Sequence, residues 1–260
     1  MPLLVVGIDG LGFDNLTQWL GRWMPYTYSL TTKYYTRRIP LEIAISPRNW
    51  TLIFSGKALD WYRLYVKPVG NGRWRLIRRW ELPVRFIWDM YPDMVVINAP
   101  VVCPPVCKNT GFRPVAYGMH FTVPEWLTEI RQVTDHAVKA LNAGKNTVAC
   151  YLVVDRMLHV TADEGVIAKV CRELDNAVMG LHRLAVQKGY KWVIVSDHGM
   201  RRRSPEKYGS VAPRHDMPYI RTVTKAVHEH SPDALYISNI DCRVEGLQDV
   251  FKAIVKGIKG

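Results

Sequence analysis

The chain has no apolar run approaching the roughly 18 residues that a membrane-spanning helix requires. Its longest runs, such as Val148–Val154, have the length of buried strands. Cysteine is scarce: five in 260 residues, an odd number that builds no disulfide framework in a chain long enough for a proper core. No repeat, low-complexity tract or Gly/Ser linker marks a boundary, so 1–260 reads as one domain. The opening Met1–Asp9 lacks a basic leader and runs directly into an acidic residue, so a signal peptide is not expected and a cytoplasmic, membrane-free setting is. Acidic residues are also in short supply, with 23 Asp and Glu against 35 Lys and Arg, for a net charge of +12. Such a surface favours phosphate-bearing partners without choosing among them. What is abundant is apolar: the chain is 48% hydrophobic, which excludes disorder.

The apolar residues form a strand–helix alternation. Leu3–Ile8, Leu41–Ile45, Val148–Val154 and Trp192–Val195 read as strands. Helices are expected over Asp14 to about Trp23 and from Ser46 to the Gly56 stop. Another follows the Thr122-x-x-Glu125 capping box, with Trp126, Ile130, Val133, Ala137 and Leu141 on its apolar face. A second capping box, Thr161-x-x-Glu164, opens a long helix with Val166, Val170, Leu174, Val178, Leu181 and Ala185 along one stripe. Glu245–Ile258 closes the series as an amphipathic helix. The expected fold class is α/β, a mostly parallel central sheet with helices on both faces. Gly70-Asn71-Gly72 departs from this pattern and predicts a hairpin between Tyr62–Lys67 and Arg73–Trp80, a small flap within 58–90. Its interleaved Arg, Lys, Trp and Tyr residues make either a solvated basic ribbon or a flap over an anionic substrate.

Ligand sites in such folds form beyond the carboxyl ends of the strands. Asp9 and Asp155 directly follow an apolar run, Asp197-His198 follow another across Ser196, and His159 lies four residues past Asp155. Read alone, a strand-end Asp is a helix cap and a lone His a core residue. Together they make an oxygen- and nitrogen-rich set suited to Zn²⁺, Mn²⁺ or Fe, with no Cys nearby to suggest a thiolate structural zinc. Ser46, ahead of Pro47, sits at a helix N-terminus where anions are favoured. It is either that helix's N-cap or a nucleophile. No Gly-x-Ser-x-Gly elbow or obvious triad order accompanies it, so activation by a metal ion is the available route.

The set Gly7-Ile-Asp9-Gly10, Ser46-Pro-Arg-Asn-Trp50-Thr51…Ser55-Gly56-Lys57, Asn98–Pro105, Asp155…His159 and Ser196-Asp197-His198-Gly199 resembles the alkaline phosphatase superfamily. Within it, the set is most similar to type I phosphodiesterase/nucleotide pyrophosphatase-like phosphohydrolases of archaeal type. The resemblance implies two divalent metal ions, zinc first, with manganese or iron as alternatives. Asp9, Ser46, Asp197 and His198 would hold one ion. Asp155, His159 and a later His would hold the other; among His215, His228 and His230, the loop setting of His215 favours it. Ser46 would be the nucleophile, forming a covalent seryl intermediate, with Asn49 and Lys57 as substrate-binding candidates and Arg201–Arg203 adding charge. The implied substrates are small phosphodiesters or nucleotides, with a phosphomonoesterase as the alternative. Sulfatases resemble it less, because Pro47 follows Ser46 immediately. A non-catalytic nucleic-acid binder fits the charge but not three acidic strand ends.

Overall fold

The computed structural model describes residues 1–59, 66–76, 81–101, 112–113, 115, 120–203 and 227–260. In chain order the first elements are β1 (Leu3–Ile8), α1 (Phe13–Gln18), α2 (Pro25–Lys33), β2 (Tyr35–Pro40), α3 (Ser46–Ser55), β3 (Val66–Gly70) and β4 (Arg73–Leu76). Next come α4 (Ile87–Met90), β5 (Val95–Ile97), β6 (Phe112–Arg113), α5 (Val123–Asn142), β7 (Thr147–Tyr151) and α6 (Val153–Val160). The last are α7 (Glu164–Gln187), β8 (Lys191–Val195), β9 (Gly199–Arg202), β10 (His228–Ser231), β11 (Asp233–Ser238) and α8 (Leu247–Lys259).

Seven strands form the central sheet in the order β2-β11-β8-β1-β7-β5-β6. The pairs around β1, β5, β7 and β8 are parallel, and β11 alone runs against its neighbours β8 and β2. In β1, alternate residues serve two cores. Leu4, Val6 and Ile8 pack with α5 and α7, while Leu3 and Val5 pack with α3 and α8. Burial on both faces is why this strand reads as an unbroken apolar run. Helices therefore cover both faces, as expected. No described helix is long and apolar enough to cross a membrane.

Several elements differ from the sequence reading. Leu41–Ile45 is not a strand; the chain there is irregular, and the strand is the preceding, mostly polar Tyr35–Pro40, held by antiparallel pairing with β11. The helix expected over Asp14–Trp23 ends at Gln18 and gives way to a 3₁₀ turn over Leu20–Arg22. Val148–Val154 divides in two: the strand stops at Tyr151, and Val153 begins α6. A short apolar run has no period by which to tell a buried strand from a buried helix. The Thr122/Glu125 box forms, with Glu125 accepting from the Thr122 amide at 3.0 Å. The Thr161 box does not form. Asp163 caps α7 instead, accepting from the Val166 amide at 3.0 Å.

The hairpin is present as β3 and β4, with Asn71 and Gly72 at positive φ in its turn. Its outer arms, 60–65 and 77–80, lie outside the described residues. Lys67 pairs with Glu81 at 2.9 Å and Arg75 also pairs with Glu81, so one carboxylate engages two of the ribbon's cations.

Candidate metal centre

The sheet brings three strand ends together. Asp9 directly follows β1, its amide donating to the Tyr151 carbonyl at 2.9 Å, so it continues the β1–β7 register. Asp197 and His198 follow β8 and are both fully buried. Asp155 lies in the first turn of α6, which starts immediately beyond β7, and its amide donates to the Asp9 carbonyl at 3.1 Å. Gly10 is at φ +78°, and a Cβ there would stand 2.8 Å from the Asp155 Cα, so this approach requires glycine. His159 lies four residues past Asp155 and ahead of Thr161 in the sequence. The structure puts it on α6, one turn below Asp155, where i and i+4 side chains share a face.

Two groups result. Asp9, Asp197 and His198 form the deeper one, and Asp155, His159 and His230 the shallower one; within each, the potential ligand atoms all lie within 4.8 Å of one another. His198 Nε2 is 3.4 Å from Asp9 Oδ1, 3.3 Å from Asp197 Oδ2 and 3.9 Å from Asp155 Oδ1, so the groups adjoin. Ser46 is the first residue of α3, and its hydroxyl donates to His198 Nε2 at 2.8 Å. Ile45, not Ser46, occupies the N-cap, and neither side chain caps the helix.

The three imidazoles are oriented alike. Each donates from Nδ1 to a backbone carbonyl: His159 to His228 (3.2 Å), His198 to Gly199 (3.0 Å) and His230 to Ala44 (2.8 Å). That arrangement leaves every Nε2 lone pair facing the centre, as metal-binding histidines are held. His159 Nε2 and His230 Nε2 face each other at 3.0 Å, and both face Asp155 Oδ1, at 3.1 and 3.2 Å. Between neutral rings these would be acceptors confronting acceptors. Burial opposes a proton on His230 but Asp155 outweighs it and raises His230 to about 9, so a proton there relieves the contact and a divalent cation would take that proton's place.

The carboxylates show the same deficit. Asp9 Oδ1, Asp155 Oδ1 and Asp197 Oδ2 are buried without a hydrogen-bond partner among the described residues. Burial, reinforced by Asp197 and Asp155, holds Asp9 well above the usual carboxylate range. Burial and Asp155 push Asp197 up to about 7. Burial also opposes ionisation of Asp155, but His159 and His230 outweigh it and hold its pKa low. Burial and the neighbouring His230 pull His198 down to about 4. Left to itself, this pocket gathers anionic groups without enough positive charge to ionise them together. The donor set and the three orphan oxygens fit divalent cations.

α6 has its own anchor. Glu129 of α5, fully buried, accepts from the Leu152 amide at the start of α6 at 2.7 Å and from Arg156 Nη1 at 2.6 Å. Asn98 donates to the same carboxylate at 3.3 Å. Removing one member of a buried pair leaves the other charge uncompensated. Glu129→Ala is expected to cost about 3–5 kcal/mol of stability, measured by denaturant unfolding against wild type.

The remaining sequence candidates fall differently. Asn49 is buried, but its amide donates to the carbonyls of Ile43 and Asp197, at 3.0 Å each, and so ties α3 to the strand end after β8. Lys57 is exposed beyond the far end of α3, roughly 16 Å along the helix axis from Ser46 at about 1.5 Å per residue. The structure does not bring it to the cluster. Arg201 and Arg203 both pair with Glu229, at 2.8 and 3.2 Å. His215 and the second half of Asn98–Pro105 lie outside the described residues. His230 is on β10, which pairs with the β9 strand that follows Asp197-His198. His228-Glu229-His230-Ser231 has no apolar alternation, so only the pairing with β9 makes it a strand. Trp50, whose indole reaches Asp9, carried no sequence signal of a site role.

No protein-family model matches this sequence, and none of the curated proteins does. Solved structures do match in shape. Phosphonoacetate hydrolase from Sinorhizobium meliloti 1021, in complex with phosphonoformate, superposes with a TM-score of 0.67 at 11% identity, over 99% of this chain and 96% of its own. Human ectonucleotide pyrophosphatase/phosphodiesterase 5 gives 0.64 at 12%, over 99% and 95%. A 2-O GAG sulfatase gives 0.56 at 12%, over 91% of this chain and 63% of its own. Such low identities speak to architecture alone, and on that evidence the chain has the alkaline phosphatase-like fold.

Proposed function

We propose that this chain is a two-metal-dependent phosphohydrolase that cleaves phosphate esters of the phosphodiester or nucleotide kind, with Ser46 as nucleophile. The observation that carries the reading is the pair of adjoining ligand groups, with three orphaned carboxylate oxygens and three Nε2 lone pairs converging on one pocket beside a helix-start serine. Asp9, Asp197, His198 and Ser46 would hold one cation, and Asp155, His159 and His230 the other. Zinc suits the His/Asp donors, as do manganese and iron. Bound divalent cations would offset the charge of a phosphate and lower the pKa of a coordinated hydroxyl.

The chain's own residues account for the rest. Ser46 presents its oxygen at the first turn of α3, where the helix dipole favours an anion. Pro47 has no N–H and the Asn49 amide donates to the Ile45 carbonyl at 3.0 Å, so Ser46 and Arg48 are the first-turn residues with amides to offer the phosphate. Attack by the Ser46 oxygen on phosphorus forms a phosphoseryl or nucleotidyl-seryl enzyme as the ester oxygen departs, and water then releases the phosphoryl group. Among the structural neighbours, the phosphonoacetate hydrolase and the phosphodiesterase are named for chemistry at phosphorus, which supports this class of substrate.

Metal analysis of the purified protein, with hydrolysis of p-nitrophenyl phosphate and its bis ester, tests the reading. Two divalent ions per chain and faster turnover of the diester are expected. Preference for the monoester would make it a phosphomonoesterase, and absence of both cation binding and hydrolysis would overturn it.

A further inference from the structure

Trp50 lies one helical turn after Ser46 on α3 and is fully buried. Its indole N–H is 3.3 Å from Asp9 Oδ2 and donates to it. The other oxygen, Oδ1, is the one left without a partner, 3.4 Å from His198 Nε2. The indole therefore divides the carboxylate: one oxygen is held by the protein and one is turned to the centre.

The surrounding packing is built around that ring. Gly7, two residues before Asp9 in β1, would carry a Cβ 2.9 Å from the indole Cη2 and 2.8 Å from Cys150 Sγ, so the strand keeps no side chain there. Phe54, the next turn of α3, stacks on the indole at 5.5 Å with planes 12° apart. From the same helix, Asn49 grips the Asp197 carbonyl. One rigid helix thus carries the Ser46 oxygen and fixes two of the acidic groups beside it.

We propose that Trp50 is a positioning residue for the cation held by Asp9, Asp197, His198 and Ser46, selecting Oδ1 of Asp9 as the ligand atom by holding Oδ2. The inference rests on the two-metal reading. A buried indole N–H needs some acceptor, but a backbone carbonyl would satisfy it. Giving it to a strand-end carboxylate orients that carboxylate, as outer-shell partners do for metal ligands.

The test compares wild type, Trp50→Phe and Trp88→Phe. Trp88 belongs to the same apolar layer, 5.2 Å from the Phe54 ring, and serves as a control for lost aromatic volume. Zinc stoichiometry and affinity are measured by chelator competition, alongside steady-state kinetics. Trp50→Phe is expected to weaken one of the two zinc ions by about 10- to 100-fold. It should leave the other ion unchanged, and lower kcat with KM within about twofold. Trp88→Phe is expected to bind both ions as wild type does. Should Trp50→Phe fail to fold, 3-benzothienylalanine placed at position 50 keeps the ring volume and deletes only the N–H, with the same expected loss. Wild-type affinity for both ions in the N–H-deleted protein overturns the proposal, as does an equal loss in Trp88→Phe. A wild-type protein that binds none of zinc, manganese and iron overturns instead the two-metal reading on which it stands.

Discussion

Ser46→Ala is expected to lower turnover of the diester by at least about 10⁴-fold while leaving the fold unchanged. The contrast between the two effects is what makes the experiment decisive. Ser46 is the first residue of α3 but not its cap, so alanine removes no capping bond. Its hydroxyl donates to His198 Nε2, which alanine leaves facing the same cation-binding group. The cost to stability should therefore stay within about 1 kcal/mol. Activity behaves differently if the Ser46 oxygen forms the bond to phosphorus, since no other hydroxyl is placed at that helix start. Thr51 and Ser55, further along α3, donate to the carbonyls of Pro47 and Thr51 at 2.6 and 2.7 Å and are held inside the helix. Ser46→Thr keeps a hydroxyl on the same backbone position and should recover part of the rate. Steady-state kinetics with thermal unfolding on the three proteins reads both effects. Full activity in the alanine protein would retire the covalent route and leave water as the attacking group.

How far the sequence carries depends on which force places each residue. Asp9 and Asp197-His198 are readable because an acidic residue ends a buried apolar strand abruptly, and the strand order then brings those ends together. Asp155 and His159 are readable as a pair but not as a helical pair. Val153 and Val154 extend the apolar run of β7, and what ends the strand is the Leu152 amide turning to Glu129, a residue 23 positions earlier in the chain. Nothing local reports that contact. Lys57 is the opposite case. Its nearness to Ser46 in the motif suggests a shared phosphate, yet the intervening segment is a helix, and an extended stretch of sequence becomes a separation along the axis. Trp50 follows the same rule from the other side, since its role depends on a glycine in β1 and a carboxylate that only the sheet brings near. The strands β2 and β11 were missed or misplaced because their pairing, rather than any alternation of their own, makes them strands.

The last ligand has two candidates, His230 on β10 and His215 outside the described residues, and the choice between them yields the second large effect. His230→Ala is expected to release one of two bound zinc ions and lower turnover by at least about 10³-fold, because it takes a direct ligand from a site with three protein donors. His230 is held for that role from both sides: its Nδ1 donates to the Ala44 carbonyl at 2.8 Å, and its ring stacks on His198 at 3.8 Å between centroids. Asp155 and His159 alone would remain, too few donors for tight binding. His228, two residues earlier, is the internal control. Its Nδ1 donates to the Leu158 carbonyl at 2.7 Å and its ring stacks on Trp19, so its side chain braces β10 against α6 outside the cluster, while the backbone carbonyl that orients His159 survives the alanine substitution. His228→Ala should lower stability and retain both ions. His215, which its loop setting favours in the sequence, is the competing candidate and completes the series. Zinc content and kcat for the three alanine variants separate the assignments. Loss confined to His230 places the ligand on the ribbon that follows Asp197-His198. Loss confined to His215 would mean that the His230 imidazole, although it faces Asp155 at 3.2 Å, yields its place when the cation binds.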